Sequence, residues 1–289
     1  MRLLDKVRNR VARARQHRWR SRSYRSSARH IVIGGSPRSG TTLLRRTFDR
    51  HPGLCCGPES SLFLPSRLNL AALAAGHGLP EDELRAVLAA ASSQGAFVDA
   101  FAEMYLAARG RPRWAEKTPL NIRHLDWIME RWPDARIVHV VRDGRDVVCS
   151  MREHPDRRWV DGRWVKELTP KPVEEYARRW VSDTASGMRW RADPRYLEVR
   201  YEDLVREPSV TLRRVLTFLG EPFDPGLLAV DQAVDPATGT TGRPDAAGAI
   251  TTTSMGRWTR DLSAADRETV KRVAGARLVE LGYSTGDDW

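Results

Sequence analysis

The chain has 289 residues, a formal net charge of +11 at pH 7, 41% hydrophobic residues and three cysteines. This length suits one large α/β domain or two small ones. No apolar run approaches the ~20 residues that span a bilayer, none follows the basic N-terminus as in a signal peptide, and three cysteines form no disulfide framework. We therefore expect a cytoplasmic protein.

The positive charge is concentrated at the N-terminus. The first 30 residues hold eleven Lys and Arg and one acidic residue, whereas the rest of the chain holds 37 basic and 36 acidic residues. We therefore predict a basic N-terminal extension over residues 1–29 and a single domain over residues 30–289. Because the domain is nearly neutral and has no interleaved basic and aromatic pattern, we expect no nucleic-acid binding.

Apolar residues in the extension recur at helical spacing, at Leu3, Val7 and Val11. The extension could therefore form a basic amphipathic helix that contacts an anionic membrane surface at its periphery. A solvated extension without a partner is the alternative interpretation, and the sequence does not decide between them.

The first predicted unit is a strand, a tight turn and a helix. The apolar run 31–33 predicts a buried strand, and Thr41–Arg50 predicts the helix that follows it. Gly35 and Gly40 bracket the turn, where unpaired amides and the positive end of the helix dipole would converge on an anion. Nucleotide triphosphatases require a Lys directly after the second Gly. Here a threonine follows it, and Arg38 supplies a cation from inside the turn.

Strands and helices alternate along the rest of the chain. We predict helices at 66–109, 119–131, 144–152, 172–191, 208–219 and 264–281, and strands at 113–116, 136–141 and 196–200. This alternation predicts an α/β, P-loop-type three-layer fold with a central parallel sheet flanked by helices, and ligands beyond the carboxyl ends of the strands. Residues 153–170 lack periodicity and predict a loop or lid, and residues 231–256 predict an irregular segment.

A second candidate anion site follows the predicted strand 136–141. That strand would deliver Arg142 to the carboxyl edge of the sheet, and a helix beginning near Gly144 would place Ser150 about two turns in. With the turn PRSGTT, this order resembles the sulfotransferases that use 3′-phosphoadenosine 5′-phosphosulfate (PAPS), over residues 30–260. The resemblance implies that Arg142 and Ser150 bind the 3′-phosphate. It implies that the 5′-phosphosulfate is bound by Arg38, Ser39, Gly40, Thr41 and Thr42.

Two further residues match the branch of this family that sulfates protein tyrosines. Glu59 follows Arg38 by 21 residues, the spacing of the catalytic Glu in that branch, so the resemblance implies a general base. Lys117, in a K-x-P setting, would stabilise the leaving phosphate together with Arg38. Glu59 could instead cap a helix or pair with an Arg, and Lys117 could be an ordinary surface lysine. We place Glu59 at the end of the second strand.

Weaker matches concern an aromatic residue and a late basic residue. Tyr201 matches an aromatic that neighbours the nucleotide in the family, although a core tyrosine would fit equally well. Arg257, before Trp258, resembles the late basic element that closes over PAPS. Arg145 is expected to pair with a neighbouring acid, such as Asp143 or Asp146, and not to bind the ligand. The small-molecule branch uses a histidine base, for which the candidates are His51, His124 and His139, none of them in a matching motif.

The leading hypothesis is a PAPS-dependent O-sulfotransferase that requires no metal. Its acceptor would carry a phenolic or alcoholic hydroxyl, as in a peptide tyrosine, a secondary metabolite, a glycan or a lipid. A P-loop kinase is the first alternative, and the absent Lys after Gly40 argues against it. A non-catalytic nucleotide-binding module is the second alternative. Because a binding module would need neither Glu59 nor Lys117, the presence of both favours an enzyme.

Overall fold

A computed structural model describes residues 19–65, 68–228, 252–286 and 289. The predicted amphipathic helix around Leu3, Val7 and Val11 lies outside these residues, as does most of the predicted irregular segment 231–256. None of the helices in the described ranges is both long enough and apolar enough to cross a bilayer.

The centre of the protein is a parallel sheet, as predicted. Among the described residues it contains five strands: β1 (Ile31–Gly35), β2 (Leu54–Cys55), β3 (Arg113–Lys117), β4 (Arg136–Val141) and β7 (Tyr196–Arg200). Their order in the sheet is β2-β3-β1-β4-β7, and every neighbouring pair is parallel. Since all of them run the same way, their carboxyl ends lie at one edge, where the predicted site residues follow β1, β3 and β4.

Helices connect the strands and cover both faces of the sheet. The α-helices are α1 (Thr41–Arg50), α2 (Leu70–His77), α3 (Glu81–Ala90), α4 (Gln94–Arg109), α5 (Leu125–Arg131), α6 (Gly144–Arg152), α7 (Val173–Met188), α8 (Tyr201–Arg206), α9 (Pro208–Leu219), α10 (Trp258–Asp261) and α11 (Ala264–Glu280). Two 3₁₀ helices cover Pro119–His124 and Pro225–Leu228. The α/β architecture with a flanked parallel sheet is confirmed.

Burial on both faces of the sheet explains why β1 is apolar at every position from Ile31 to Ile33. Val32 packs into a core cluster with Trp114 and Phe101, whereas Ile31 and Ile33 pack on the opposite face of the sheet. All three side chains have no exposed surface. A strand that is covered on both faces needs apolar residues at every position, as is usual in parallel sheets.

Several predicted elements differ in the structure. The helical stretch 66–109 is divided into α2, α3 and α4. The predicted helix 119–131 is a 3₁₀ helix followed by α5, and its first part lies so close to the sheet that a Cβ on Gly34 would be 2.9 Å from the Ile122 nitrogen. The prediction of a loop over residues 153–170 was wrong, because β5 (Asp156–Val160) and β6 (Arg163–Glu167) form an antiparallel hairpin there. Asp161 and Gly162 adopt φ values of 47° and 77°, typical of a two-residue hairpin turn.

The N-terminal segment of residues 19–29 packs against the domain in the structure. The Arg20 guanidinium lies 3.8 Å from the centre of the Trp127 ring and donates a hydrogen bond to the Phe63 carbonyl at 2.8 Å. Tyr24 donates to the Asp99 carboxylate at 2.6 Å. This part of the predicted extension is therefore in contact with the core of the protein.

Candidate active site

The turn between β1 and α1 presents backbone amides at the carboxyl edge of the sheet. Gly40 caps α1 with a φ of 95° and without a side-chain hydrogen bond, so the first amides of the helix are not satisfied by a capping side chain. Glycine is required here, because a Cβ would lie 2.4 Å from the Tyr201 ring. Arg38 has a φ of 73°, a left-handed conformation that non-glycine residues adopt mainly where the surroundings impose it.

The turn after β4 lies directly beside this first turn. Arg142 donates a hydrogen bond from Nη1 to the Arg38 carbonyl at 3.0 Å, and Arg38 donates from Nε to the Ser150 hydroxyl at 3.1 Å. The Arg142 guanidinium also lies 4.6 Å from the centre of the Tyr201 ring. The structure therefore brings together both predicted phosphate-binding groups, although about a hundred residues separate them in the sequence.

Several groups at these two turns suit a negatively charged ligand. The side chains of Ser39 and Arg142 are almost fully buried, and within the described residues neither Oγ of Ser39 nor Nε of Arg142 has a hydrogen-bond partner. Hydroxyl and guanidinium donors of this kind bind phosphate and sulfate oxygens. Together with the amides of the turn, they fit a ligand that carries anionic groups at two places.

The segment containing Arg257 lies against α6, close to Arg142. The buried Asp146 accepts hydrogen bonds from the Gly256 and Trp258 amides at 2.8 and 3.1 Å, and burial raises the pKa of this carboxyl. Arg142 also donates to the Ser254 carbonyl. Sequence reasoning named Asp146 only as one of two acids that Arg145 could pair with. The available signal for a role at the site was its place in the first turn of a helix that begins at a predicted ligand site.

Arg257 itself is engaged with acidic side chains. Its guanidinium forms ion pairs with Glu153 at 2.7 Å and with Asp261 at 2.6 Å. The structure places Arg257 near the two turns but directs its guanidinium at these carboxylates. Arg145, which was expected to pair with a neighbouring acid, forms a buried ion pair with Asp143 at 2.8 Å.

Glu59 and Lys117 meet at the opposite side of the first turn. Lys117 Nζ lies 2.6 Å from Glu59 Oε1 and 3.3 Å from Thr42 Oγ1. The Lys117 side chain is 4% exposed, whereas that of Glu59 is 50% exposed. The ammonium is thus enclosed between the Glu59 carboxylate and the first turn (Gly35 to Thr42, called the phosphate turn below for its proposed ligand), while the carboxylate is open to solvent. Glu59 lies four residues beyond β2, which ends at Cys55, and not at the end of that strand.

Beneath Glu59 lies a buried carboxylate that sequence reasoning missed. Glu116 is 2% exposed and accepts hydrogen bonds from the Ser60 amide at 3.2 Å and from the Ser60 and Thr118 hydroxyls at 2.7 Å. It also accepts from the Asn121 amide group. Burial raises the pKa of this carboxyl. The available signal was a charged residue next to Lys117 in a strand that is otherwise buried.

The three candidate histidines make contacts away from Glu59. His139 is fully buried, its ring bonds to the Tyr196 hydroxyl, and burial lowers its pKa to about 3. The His51 ring bonds to the Pro222 carbonyl at 2.8 Å. Burial lowers the pKa of His124 to about 4. A different histidine, His154, lies near the site, with its Nε2 atom 3.4 Å from Arg38 Nη1.

The described ranges hold no group of three or more His, Cys, Asp or Glu side chains arranged to bind a metal ion. The fold and the site together define an α/β protein in which Arg142 and Lys117, at the ends of the two strands that flank β1, contact the turn that carries Arg38. Residues 30–225 match the model of the Sulfotransferase family, and the chain belongs to this family.

Curated relatives include a protein-tyrosine sulfotransferase from Drosophila melanogaster. It is 28% identical over 226 residues, which cover 75% of this chain and 43% of the relative. A protein-tyrosine sulfotransferase from Caenorhabditis elegans is 27% identical, over 73% of this chain and 55% of the relative. The chain thus spans about half the length of these relatives.

Solved structures share the fold. The sulfotransferase domain of the Synechococcus olefin synthase superposes with a TM-score of 0.60 at 24% identity, covering 89% of this chain and 97% of that one. A mouse sulfotransferase complexed with PAP (3′-phosphoadenosine 5′-phosphate) superposes with a TM-score of 0.56 at 14% identity, covering 90% of this chain and 89% of that one.

Proposed function

We propose that this protein is an O-sulfotransferase that transfers a sulfuryl group from PAPS to the hydroxyl of an acceptor. The observation that carries this proposal is the pair formed by Glu59 and Lys117, with Oε1 and Nζ 2.6 Å apart. The same ammonium also contacts Thr42 in the first turn. A half-exposed carboxylate can accept the proton of an incoming hydroxyl, while an enclosed ammonium faces the turn where the leaving phosphate would lie.

The donor would be bound by the two adjacent turns. The first turn, through Arg38 and the groups from Ser39 to Thr42, would hold the 5′-phosphosulfate, and Arg142 with Ser150 would hold the 3′-phosphate. The membership of the Sulfotransferase family supports this assignment, as does the fold shared with a PAP-complexed structure. Tyr201, which packs between Gly40 and Arg142, would adjoin the nucleotide, and the segment of Arg257 would cover it.

In the proposed reaction the acceptor oxygen forms a bond to sulfur as the bond from sulfur to the 5′-phosphate oxygen breaks. Glu59 takes up the hydroxyl proton, and Lys117 and Arg38 stabilise the negative charge that builds on the leaving phosphate. Positioning and electrostatic stabilisation carry most of the catalysis, as in phosphoryl transfer. Because these side chains supply the cations, we expect turnover without a divalent metal.

The acceptor class is part of the proposal. The two curated relatives described above are protein-tyrosine sulfotransferases, which favours a phenolic hydroxyl such as a peptide tyrosine. Because the chain matches only about half of each relative, the alternative acceptors, an alcohol on a secondary metabolite, a glycan or a lipid, are included in the test. The predicted contact of residues 1–29 with an anionic membrane surface also stays a prediction, since residues 1–18 lie outside the described ranges.

Calorimetry with the desulfated donor PAP, AMP and ATP tests the donor site. Charge-assisted hydrogen bonds from Arg142 and Ser150 should make PAP bind about 2–3 kcal/mol more tightly than AMP. Equal affinity for PAP and AMP would contradict the proposal, and Mg²⁺-dependent binding of ATP would favour the kinase alternative. Turnover of PAPS with a tyrosine peptide, 4-methylphenol and an alcohol, with and without EDTA, then tests the reaction.

A further inference from the structure

The segment from Glu59 to Leu64, here called the Glu59 loop, is held in an unfavourable backbone conformation. Ser61 adopts a φ of 56°, in the left-handed region that serine rarely occupies. Ser61 lies two residues after the proposed base. A strained residue persists only where its surroundings determine it, so the contacts of this loop indicate what fixes the position of Glu59.

Glu116 is the central contact of the Glu59 loop. Its Oε1 atom accepts from both the amide and the hydroxyl of Ser60, the residue next to Glu59, and from the hydroxyl of Thr118. The Thr118 hydroxyl oxygen in turn accepts from the Ser61 amide at 3.1 Å. One buried carboxylate thereby binds the first residue after Glu59 directly and the strained Ser61 through Thr118.

Other segments hold the far end of the loop. Gln94 donates from Nε2 to the Leu62 and Leu64 carbonyls at 2.7 and 3.0 Å, and Arg20 donates to the Phe63 carbonyl. These contacts fix the loop against α4 and the N-terminal segment. The other end of the loop, which carries Glu59, is held by Glu116 and Thr118.

Glu116 also connects the loop with the leaving-group side of the site. It precedes Lys117 in β3, so the strand that orients the ammonium carries the carboxylate that orients the Glu59 loop. The Asn121 amide group donates to Glu116, which adds the 3₁₀ helix to the same network. At 2% exposure, Glu116 makes these hydrogen bonds away from water. In such a buried environment each hydrogen bond is stronger and its loss is more costly.

We propose that Glu116 is a positioning residue for catalysis: by accepting hydrogen bonds from Ser60, Thr118 and Asn121, it sets the distance between the Glu59 carboxylate and Lys117. This inference rests on the proposed sulfuryl transfer. Glu116 is enclosed beneath the loop and does not face the reacting atoms. Its loss therefore changes the rate of transfer and not the binding of the donor, which the two phosphate turns carry.

The test compares Glu116→Ala with Glu116→Gln in the full chain, with PAPS and a tyrosine peptide as acceptor. Glu116→Ala should lower kcat about 10- to 100-fold, since a displacement near 1 Å costs that much, with the KM for PAPS and the Kd for PAP within about threefold. Glu116→Gln should recover most of kcat. Within the described residues Asn121 Oδ1 has no hydrogen-bond partner, so rotation of that amide lets it accept from the new Gln amide.

Amide hydrogen exchange supplies a second readout that needs no acceptor. The Ser60 and Ser61 amides should exchange faster in Glu116→Ala than in the wild type, while those of β1 stay protected. If Glu116→Ala does not fold, Thr118→Val should lower kcat and speed the exchange of the Ser61 amide, whose acceptor it removes, while the Ser60 amide keeps its hydrogen bond to Glu116. Thr118→Ser should restore both, because only the hydroxyl is needed.

Glu221→Ala is the matched control, because the partner of Glu221 is Arg113, at the other end of β3 from Glu116. Glu221 pairs with Arg113 at 2.8 Å, so its loss should lower stability without changing kcat or the exchange of Ser60 and Ser61. An equal fall in kcat for Glu221→Ala and Glu116→Ala would overturn the positioning role, as would unchanged kcat and exchange in Glu116→Ala. If the wild type transfers sulfuryl groups to no acceptor, the proposed function fails, whereas the exchange result separately decides whether Glu116 holds the loop.

Discussion

The phosphate turn and the Glu59 loop lie on two sides of Lys117 and are built in different ways. The phosphate turn is one short stretch, Gly35 to Thr42, whose amides, hydroxyls and Arg38 follow from the local path between β1 and α1. The Glu59 loop depends on contacts from β3, α4 and the N-terminal segment. The groups of the first turn are thus placed by a short local stretch, whereas the placement of the Glu59 carboxylate depends on distant parts of the chain.

This comparison predicts that substitutions in the two regions have different kinetic effects. Changes at the phosphate turns should alter donor affinity, because those groups contact the donor in the proposed complex. Changes at the Glu59 side should alter kcat with donor affinity preserved.

Glu59→Gln should give the largest change in kcat with donor affinity preserved, which distinguishes the Glu59 loop from the phosphate turn. Loss of the proposed general base should lower kcat about 10²- to 10⁴-fold, because the amide cannot take up the proton of the acceptor hydroxyl. The affinity for PAP, measured by calorimetry, should stay within a few-fold of wild type. Unchanged turnover would show that Glu59 is not the base.

Lys117→Ala tests the residue that joins the regions. The ammonium lies between Glu59 and Thr42, and its removal should lower kcat about 10²- to 10³-fold through lost stabilisation of the leaving phosphate. Steady-state turnover of PAPS measures this effect. Lys171→Ala, which changes an exposed lysine paired with Glu175, should leave turnover at the wild-type level. A similar loss in both variants would point to a general effect on folding.

Arg142→Ala tests the phosphate side alone. Charge-assisted hydrogen bonds to a phosphate are worth about 1.5–3 kcal/mol, so the affinity for PAP should fall roughly 10- to 150-fold. The affinity for AMP, which lacks the 3′-phosphate, should change much less. Calorimetry with both ligands measures this difference, and Arg152→Ala, on the exposed end of α6, provides the control. An equal loss of affinity for PAP and AMP would remove the assignment of Arg142 to the 3′-phosphate.

Asp99→Asn tests the support of the Glu59 loop from the N-terminal segment. Asp99 contacts Tyr24, His30 and Trp132 through its carboxylate, and replacing it should lower the free energy of unfolding by about 1–3 kcal/mol at pH 7. Denaturant titration measures this loss. A loss of kcat larger than the loss of stability explains would mean that the segment also acts on the site.

The effect of Asp99 should depend on pH in a defined direction. Burial acts to raise the pKa of Asp99, but the hydrogen bonds from His30 and Tyr24 outweigh it and hold the pKa below its ordinary value of 3.8. A lowered folded-state pKa gives a stabilisation that is fully present above pH 3.8 and is lost as the pH falls through the folded-state value. The wild type and Asp99→Asn should therefore differ by a constant amount above pH 3.8 and converge in stability below it. A difference that stays unchanged as the pH falls through the folded-state value would contradict this explanation.

The elements that sequence reasoning placed well are those with strong local signals. The bounds of α1 and α6 agree with the structure to the residue, because glycines and acidic or small residues mark where each apolar pattern begins. The hairpin 156–167 was missed, since its strands carry mixed charges and aromatics without clean alternation. Its signal was the pair Asp161-Gly162, which favours a two-residue turn.

Residue patterns alone were enough to predict the parallel α/β architecture and the two turns, after β1 and β4, that we propose bind the donor. These features follow from short-range patterns, namely apolar runs, glycine spacing and the residues at strand ends. Three contacts became visible only in the folded protein: Arg38 donates a hydrogen bond to Ser150, Lys117 lies between Glu59 and Thr42, and Glu116 accepts hydrogen bonds from Ser60. Such contacts depend on how strands far apart in the chain align in one sheet, which no local pattern of residues specifies.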